Sequence, residues 1–484
     1  MPGHVEDTPD EGMMGAAAGA AGVQPAAVRL LLTIMAGYPI AALYTAYVAE
    51  AVPFKALHHM FFVACGAGLC YFNYGVDTYH SLLGILVTYL LVRFLRHNIR
   101  LMIGLNVVFH MSYLLLGYMF TASNEYDILW TMPHCVLVLR MIGLGFDISD
   151  GLKATQALSK EQKETALPQM PSLLELLAFA YFPSGFLVGP QFPLRRYQNF
   201  INGDFRQHEG NVEAGTRRLA TGVFYLIVCQ VGLSVLPDSY FLSSEFAEVG
   251  FIKRIFLLGF WAKFNLYKYV SCWLLTEGAL IYIGFTYMGK DVHGQPDWSG
   301  CSNVKLILLE TGNTMEHYIQ SFNVNTNRWV GQYVYRRLKF LDNRTISYVA
   351  ALGFLAVWHG FHSGYYMAFL MEYMVVSTEK QIARFYEKSI LPQYGSILSR
   401  SDIYNVLYFV TLKSYNIVYM GWGLTPFVFL KYERWIVVFG AVNYFGFIYL
   451  IIWAVFYQTY GHFSGNDHGN DVATGDENFP VFAT

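Results

Sequence analysis

Charge is scarce in this sequence. Only 14% of its 484 residues are Asp, Glu, Lys or Arg, whereas an ordinary soluble domain carries about 25%. The chain therefore lacks the polar surface a soluble fold of this size needs. The net charge is −2, and no basic surface argues for nucleic acid as a partner. Cysteine is also sparse: Cys65, Cys70, Cys135, Cys229, Cys272 and Cys301. Most sit inside apolar runs with no C-x-x-C spacing, which favours buried free thiols over a disulfide frame or a zinc site. Residues 1–24 are rich in Ala and Gly and carry Glu6, Asp7, Asp10 and Glu11. They lack the basic region and following apolar run of a cleavable signal, so they read as a disordered tail. There is no internal repeat.

What the chain has instead is apolar length: 55% of it is hydrophobic and 17% aromatic. About 20 apolar residues span the hydrocarbon core of a bilayer. The runs 26–48, 101–121, 219–236, 348–376 and 435–457 meet or approach that length. Shorter or interrupted runs lie at 58–74, 81–94, 129–146, 173–188, 251–287 and 403–430. The pattern predicts an all-α polytopic membrane protein with roughly 10–12 membrane-embedded helices, half-spans included. A soluble protein would need about a dozen core helices without the polar faces that amphipathic periodicity supplies. The membrane domain runs from 25 to 460. The remainder, 461–484, is polar and acidic and reads as a second disordered tail. Two breaks, Pro183-Ser184-Gly185 and Gly189-Pro190-Gln191-Phe192-Pro193, interrupt one apolar segment. Non-helical backbone at that depth belongs in a cavity wall rather than against lipid.

The most informative residue is His359, in Trp358-His359-Gly360-Phe361-His362. It lies roughly 15 Å along an apolar helix beginning near Tyr348, where an ionisable group is by default a functional-site candidate. A neutral imidazole there can take a proton from an alcohol attacking a thioester; a neutral core histidine is the plainer alternative. His362 follows three residues later, near the same helix face, and the two make a weak metal pair because no carboxylate or thiol is close in sequence. The stretch Asn323-Val324-Asn325-Thr326-Asn327-Arg328-Trp329 holds asparagines that suit a turn or cap, or a site that holds a developing oxyanion. Arg328, Arg336, Arg337 and Lys339 form a basic stripe, either for the phosphates of coenzyme A or for anionic headgroups. Lys263, Lys268, Trp273 and Glu277 lie in a further apolar segment, with Trp273 and Glu277 on one helical face. Asp147 and Asp150 read as the point where 129–146 leaves the apolar core.

Taken together and in order, these residues resemble the membrane-bound O-acyltransferases, within them the lysophospholipid acyltransferase branch on its lysophosphatidylcholine side. The resemblance rests on Trp130-Thr131-Met132-Pro133 leading into Asp147, on Gly189-Pro190-Gln191-Phe192, and on Trp273 with Glu277-Gly278. It rests also on Asn323 to Trp329, on Trp358-His359-Gly360 and on Gly364-Tyr365-Tyr366. It implies a helical bundle around a chamber crossing the bilayer. The implied catalytic residues are His359 as general base and Asn323 as positioning or oxyanion group. Trp329, Trp358, His362, Tyr365, Arg328, Arg336, Arg337, Lys339, Trp273 and Glu277 are the candidates for substrate contact. The implied reaction is acyl transfer from a long-chain acyl-CoA cosubstrate to the free sn-2 hydroxyl of lysophosphatidylcholine, and also of lysophosphatidylserine or lysophosphatidylethanolamine. The resemblance implies no metal and no cofactor.

It also implies the endoplasmic reticulum membrane, although the chain ends Phe482-Ala483-Thr484 without the dilysine signal of many relatives. A homodimer is compatible with the sequence. Two other readings stay open: a protein or sterol acceptor on the same fold, and a lipid transporter or scramblase. The second is disfavoured by the absence of inverted repeats.

Overall fold

The computed structural model describes residues 14–16, 18–19, 22–50, 54–121, 128–205, 209–398 and 402–460. Most of the tail at 1–24 and all of the tail at 461–484 lie outside the described residues. The principal helices are α1 (Pro25–Tyr47), α2 (Lys55–Tyr74), α3 (Thr78–Leu95), α4 (Ile99–Thr121), α5 (Thr131–Gly151), α6 (Leu173–Ala180), α7 (Leu194–Asn202) and α8 (Asn211–Val235). They continue with α9 (Phe251–Tyr282), α10 (Leu306–Thr311), α11 (Met315–Ser321), α12 (Val324–Val330), α13 (Arg344–His359), α14 (Ser363–Phe385), α15 (Asp402–Phe429), α16 (Tyr432–Ala441) and α17 (Phe445–Tyr460). No strand forms among the described residues; Lys290–Pro296 and Val304–Phe322 are isolated bridges. The fold is all-α, as the apolar runs predict.

Among the described residues, five stretches are long and apolar enough to cross a membrane: α1, the 41-residue run Lys55–Leu95, α4, α5 and α8. A sixth is the pair α16 and α17, bent by 72°. Of the other expected segments, 251–287 and 403–430 are largely α9 and α15, 348–376 is broken between His359 and Ser363 into α13 and α14, and 173–188 is helical only to Ala180. Polar residues lower the hydropathy of α9, α14 and α15. Lys263, Lys268 and Glu277 lie in α9, Glu372 and Glu379 in α14, and Asn405 and Lys413 in α15.

The chain divides into two units. The first comprises Met1–Val223 and Ser271–Ser302. Its buried member is α5, 78% of whose apolar window is covered, against 22–28% in the other four spans; α3 and α4 pack against it. Asp147 and Asp150 are fully buried inside α5, which corrects the reading that they mark its exit from the core. Asp150 is compensated where it sits: Lys153 donates to it at 2.7 Å and Gln162 at 3.1 Å. A residue passed over in the sequence, Arg140 of α5, is 3% exposed. Its guanidinium donates to the carbonyls of Phe179 at 3.0 Å, Ala180 at 3.3 Å and Pro190 at 3.2 Å, and to that of Gly185. The Phe192 ring lies 4.4 Å away. One arginine thus satisfies the carbonyls that the Pro/Gly breaks release, which lets irregular backbone persist in an apolar interior. Pro183 and Ser184 of that segment line two small crevices, one with Thr33 and Leu187, the other with Phe62 and Ala279.

The second unit comprises Phe224–Val270 and Asn303–Thr484. Here α9 and α15 meet backbone to backbone: a Cβ on Gly421 would sit 2.6 Å from the Cα of Gly259. No larger residue fits that crossing. α14 packs against both α13 and α15, and these helices hold the site.

Candidate active site

Asn323 opens α12 in the left-handed region, φ 50°, ψ 43°, which asparagine adopts more readily than most residues. Its side chain makes no capping bond to the helix it begins. Instead Oδ1 accepts from Asn303 Nδ2 at 3.2 Å. Asn303 holds the backbone there as well: Val324 N–H donates to its carbonyl at 3.0 Å, and Asn325 N–H to its Oδ1 at 3.0 Å. The other two asparagines are structural. Asn325 contributes its N–H to that clasp, and Asn327 Nδ2 donates to the carbonyls of Ile319 and Phe322 at 2.8 and 3.1 Å.

The segment from Asn303 to Asn323 is closed at its base by the Val304–Phe322 bridge and by Lys305 N–H donating to Ser321 O at 2.9 Å. It is fastened through Glu310, whose carboxylate pairs with Lys263 at 2.6 Å and accepts from the Tyr225 and Tyr267 hydroxyls at 3.1 and 2.9 Å. Lys413 donates to the carbonyls of Glu310 and Gly312 at 2.7 and 2.6 Å. Glu379 accepts from Met315 N–H at 2.9 Å. No motif in the sequence marks Asn303, Glu310, Lys413 or Glu379, whose roles come from contacts distant in the chain.

His359 is the last residue of α13 and is half-buried. Its ring lies among Tyr365 at 5.1 Å, Phe369 at 5.6 Å and Phe427 at 5.2 Å between centroids. Aromatic faces thus fix the plane of the imidazole, and its nitrogens take no hydrogen-bond partner among the described residues. Gly360 follows at φ 120°, ψ −161°, a conformation essentially closed to residues with a Cβ. The helix therefore ends at the histidine. His362 does not share a helix face with His359, contrary to the sequence reading; it stands at the N-terminal boundary of α14. Both rings instead meet Tyr365, that of His362 at 6.1 Å. Gly364 is pressed against α15, where a Cβ would lie 2.0 Å from Pro426 O, and its N–H donates to Leu430 O at 2.8 Å.

Trp329 of α12 stacks on Phe354 of α13 at 5.5 Å and also meets Tyr333. This packing couples the helix that starts at Asn323 to the helix that ends at His359. The two site residues make no direct hydrogen bond among the described residues. Trp329, Trp358 and Tyr365 are buried. Arg328, on α12, is exposed; in the short 3-10 helix Arg336–Leu341 between α12 and α13, Lys339 is exposed and Arg336 and Arg337 are half-buried.

Trp273 and Glu277 belong to the first unit and are engaged there. Trp273 Nε1 donates to Val188 O at 3.1 Å. Glu277, buried, pairs with Arg218 at 2.7 Å and accepts from Ser302 Oγ at 2.5 Å.

Chemically, the second unit holds a carboxamide whose oxygen is bonded to Asn303 and an imidazole set among aromatic rings. A family model described as MBOAT, membrane-bound O-acyltransferase family, matches residues 115–422, a stretch that contains both residues. Among known proteins, the chain is 73% identical to lysophospholipid acyltransferase 5 of Drosophila melanogaster, over 95% of this chain and 92% of that one. It is 37% identical to lysophospholipid acyltransferase 5 of Homo sapiens, over 89% and 88%, and 33% identical to that of Caenorhabditis elegans, over 92% and 94%. With more than half its length matched and whole-length relatives at these identities, the chain belongs to the membrane-bound O-acyltransferase family.

Proposed function

We propose that this enzyme transfers a fatty acyl group from acyl-CoA to the free sn-2 hydroxyl of a lysophospholipid, with His359 and Asn323 as its catalytic pair. The reading is carried by one juxtaposition. A carboxamide with its oxygen already bonded and an imidazole whose nitrogens take no hydrogen-bond partner among the described residues lie on helices packed together through the Trp329–Phe354 stack. The names of relatives that match nearly the whole chain support lysophospholipid as the acceptor.

An imidazole nitrogen of His359 takes the hydroxyl proton as the oxygen attacks the thioester carbonyl. Asn323 Nδ2–H donates to the carbonyl oxygen as negative charge develops on it. Collapse of the tetrahedral intermediate breaks the C–S bond, and the imidazolium returns its proton to the departing thiolate. The products are the diacyl phospholipid and free CoA, with no covalent enzyme intermediate. Aromatic packing holds the ring in the plane the first step needs, a form of preorganisation. In this reading Trp329, Trp358, His362 and Tyr365 shape the reacting end of the cavity. Arg328, Arg336, Arg337 and Lys339 hold CoA phosphates. Lysophosphatidylcholine is the first acceptor to offer, with lysophosphatidylserine and lysophosphatidylethanolamine beside it, and the endoplasmic reticulum is the membrane to examine.

The test is acyl transfer in microsomes expressing the chain, with lysophosphatidylcholine, lysophosphatidylserine, lysophosphatidylethanolamine and lysophosphatidylinositol offered against arachidonoyl-CoA or oleoyl-CoA. Transfer to at least one acceptor is expected. Transfer to none of them, with the protein present, overturns the acceptor class and reopens a protein or sterol acceptor.

A further inference from the structure

We propose that Asn303 is a positioning residue for Asn323: by donating to Asn323 Oδ1 it decides which end of the catalytic carboxamide faces the reacting carbonyl. The inference rests on the role given to Asn323 above and extends it to a residue with no place in the motifs.

Asn303 is 3% exposed and makes three bonds to three consecutive residues. Two are to backbone: Val324 N–H at its carbonyl and Asn325 N–H at its Oδ1, each at 3.0 Å. These fix the left-handed turn on which Asn323 sits. The third runs from Nδ2 to Asn323 Oδ1 at 3.2 Å, and holding the turn does not require it. A carboxamide has two chemically opposite ends of nearly equal shape, and the backbone of α12 takes no bond from this one. Nothing on its own helix therefore chooses between an N–H and a C=O pointing at the substrate. Turned one way, the group stabilises an oxyanion; turned the other, its oxygen repels one. Because Asn303 Oδ1 is occupied as an acceptor from Asn325, its Nδ2 is the end left for Asn323, and that N–H can be satisfied only by Oδ1. The bond to Asn325 thus sets the orientation of Asn303, and Asn303 sets that of Asn323.

Asn303→Asp tests this, because it keeps the acceptor for Asn325 and the shape while replacing the donor with a carboxylate oxygen. Asn323 Nδ2 then turns towards that oxygen and away from the substrate. The expected result is a kcat lower by about 10²–10³-fold, the cost of losing one oxyanion donor. KM for acyl-CoA and for the lysophospholipid should stay within about twofold, with an unchanged thermal midpoint in detergent. A double-mutant cycle separates positioning from stability: Asn303→Asp combined with Asn323→Ala should be no slower than Asn323→Ala alone. Should Asn303→Asp not accumulate, Asn303→Ala goes through the same cycle with the same expectation, since the backbone acceptor for Val324 remains. Wild-type kcat in the Asn303 variant, or losses that multiply in the double variant, overturns the proposal while leaving Asn323 catalytic. Wild-type turnover in Asn323→Ala overturns instead the catalytic reading beneath it.

Discussion

Asn327 and Asn323 stand four residues apart, and the proposed mechanism gives them opposite work. Asn327 bonds two backbone carbonyls, so Asn327→Ala should lower stability by about 1–3 kcal/mol through the carbonyls left unsatisfied. Turnover per folded molecule should stay near wild type; thermal melting in detergent read beside specific activity checks both. Asn323→Ala should behave inversely, keeping its melting point and losing about 10²–10³-fold in kcat, as steady-state kinetics would show. The sequence pointed at all three asparagines because residue type and motif order were visible in it. It could not apportion their roles, since those depend on Asn303, which only the folded chain brings to the turn. Asp150 shows the same limit: a carboxylate at the end of an apolar run reads as an exit to water until its own burial and its bonds to Lys153 and Gln162 are seen.

At the scale of elements, the site depends on how helices stop and how they are fastened. Gly360 ends α13 in a conformation that a Cβ resists, and Gly364 lies where a Cβ would strike Pro426 O. Gly364→Val should therefore abolish folded protein, while Gly360→Ala should accumulate at reduced level with the His359 ring misplaced. Monodispersity on size exclusion and activity per monodisperse molecule distinguish the two outcomes. Glu310→Gln removes the ionic partner of Lys263, keeps a hydrogen-bond acceptor for the two tyrosines, and should lower stability by about 1–3 kcal/mol. A melting point equal to wild type would show that the fastening of the 303–323 segment lies elsewhere. Gly360 and Gly364 were visible in the sequence after His359. The break that puts His362 on another helix was not, because residues three apart share a face only if the helix continues.

For the whole molecule, apolar run length located the long apolar helices but not α7, α10, α11 and α12, because exclusion of water from the chain interior and from the bilayer selects the same apolar residues and leaves short helices outside those runs unmarked. It does not distinguish plain spans from embedded helices that carry charge. α9, α14 and α15 carry charges that the fold uses internally, such as Lys263 and Glu379, and composition alone cannot tell an internally paired charge from a solvated one. Arg140, which supports the irregular segment of the first unit, was hidden for the same reason. Arg140→Met leaves the carbonyls of Phe179, Ala180, Gly185 and Pro190 without their donor and should sharply reduce accumulation, read by quantitative blotting of membranes. The spans themselves require that alkaline carbonate leave the chain in the membrane pellet.

The central claim is that acyl transfer runs through the imidazole at the end of α13. Its most direct test is the activity of His359→Ala against wild type in microsomes at equal expression, with lysophosphatidylcholine and arachidonoyl-CoA. Loss of transfer with an unchanged melting point and elution profile is the predicted result. Full activity in the variant would make His359 a structural histidine and contradict the mechanism.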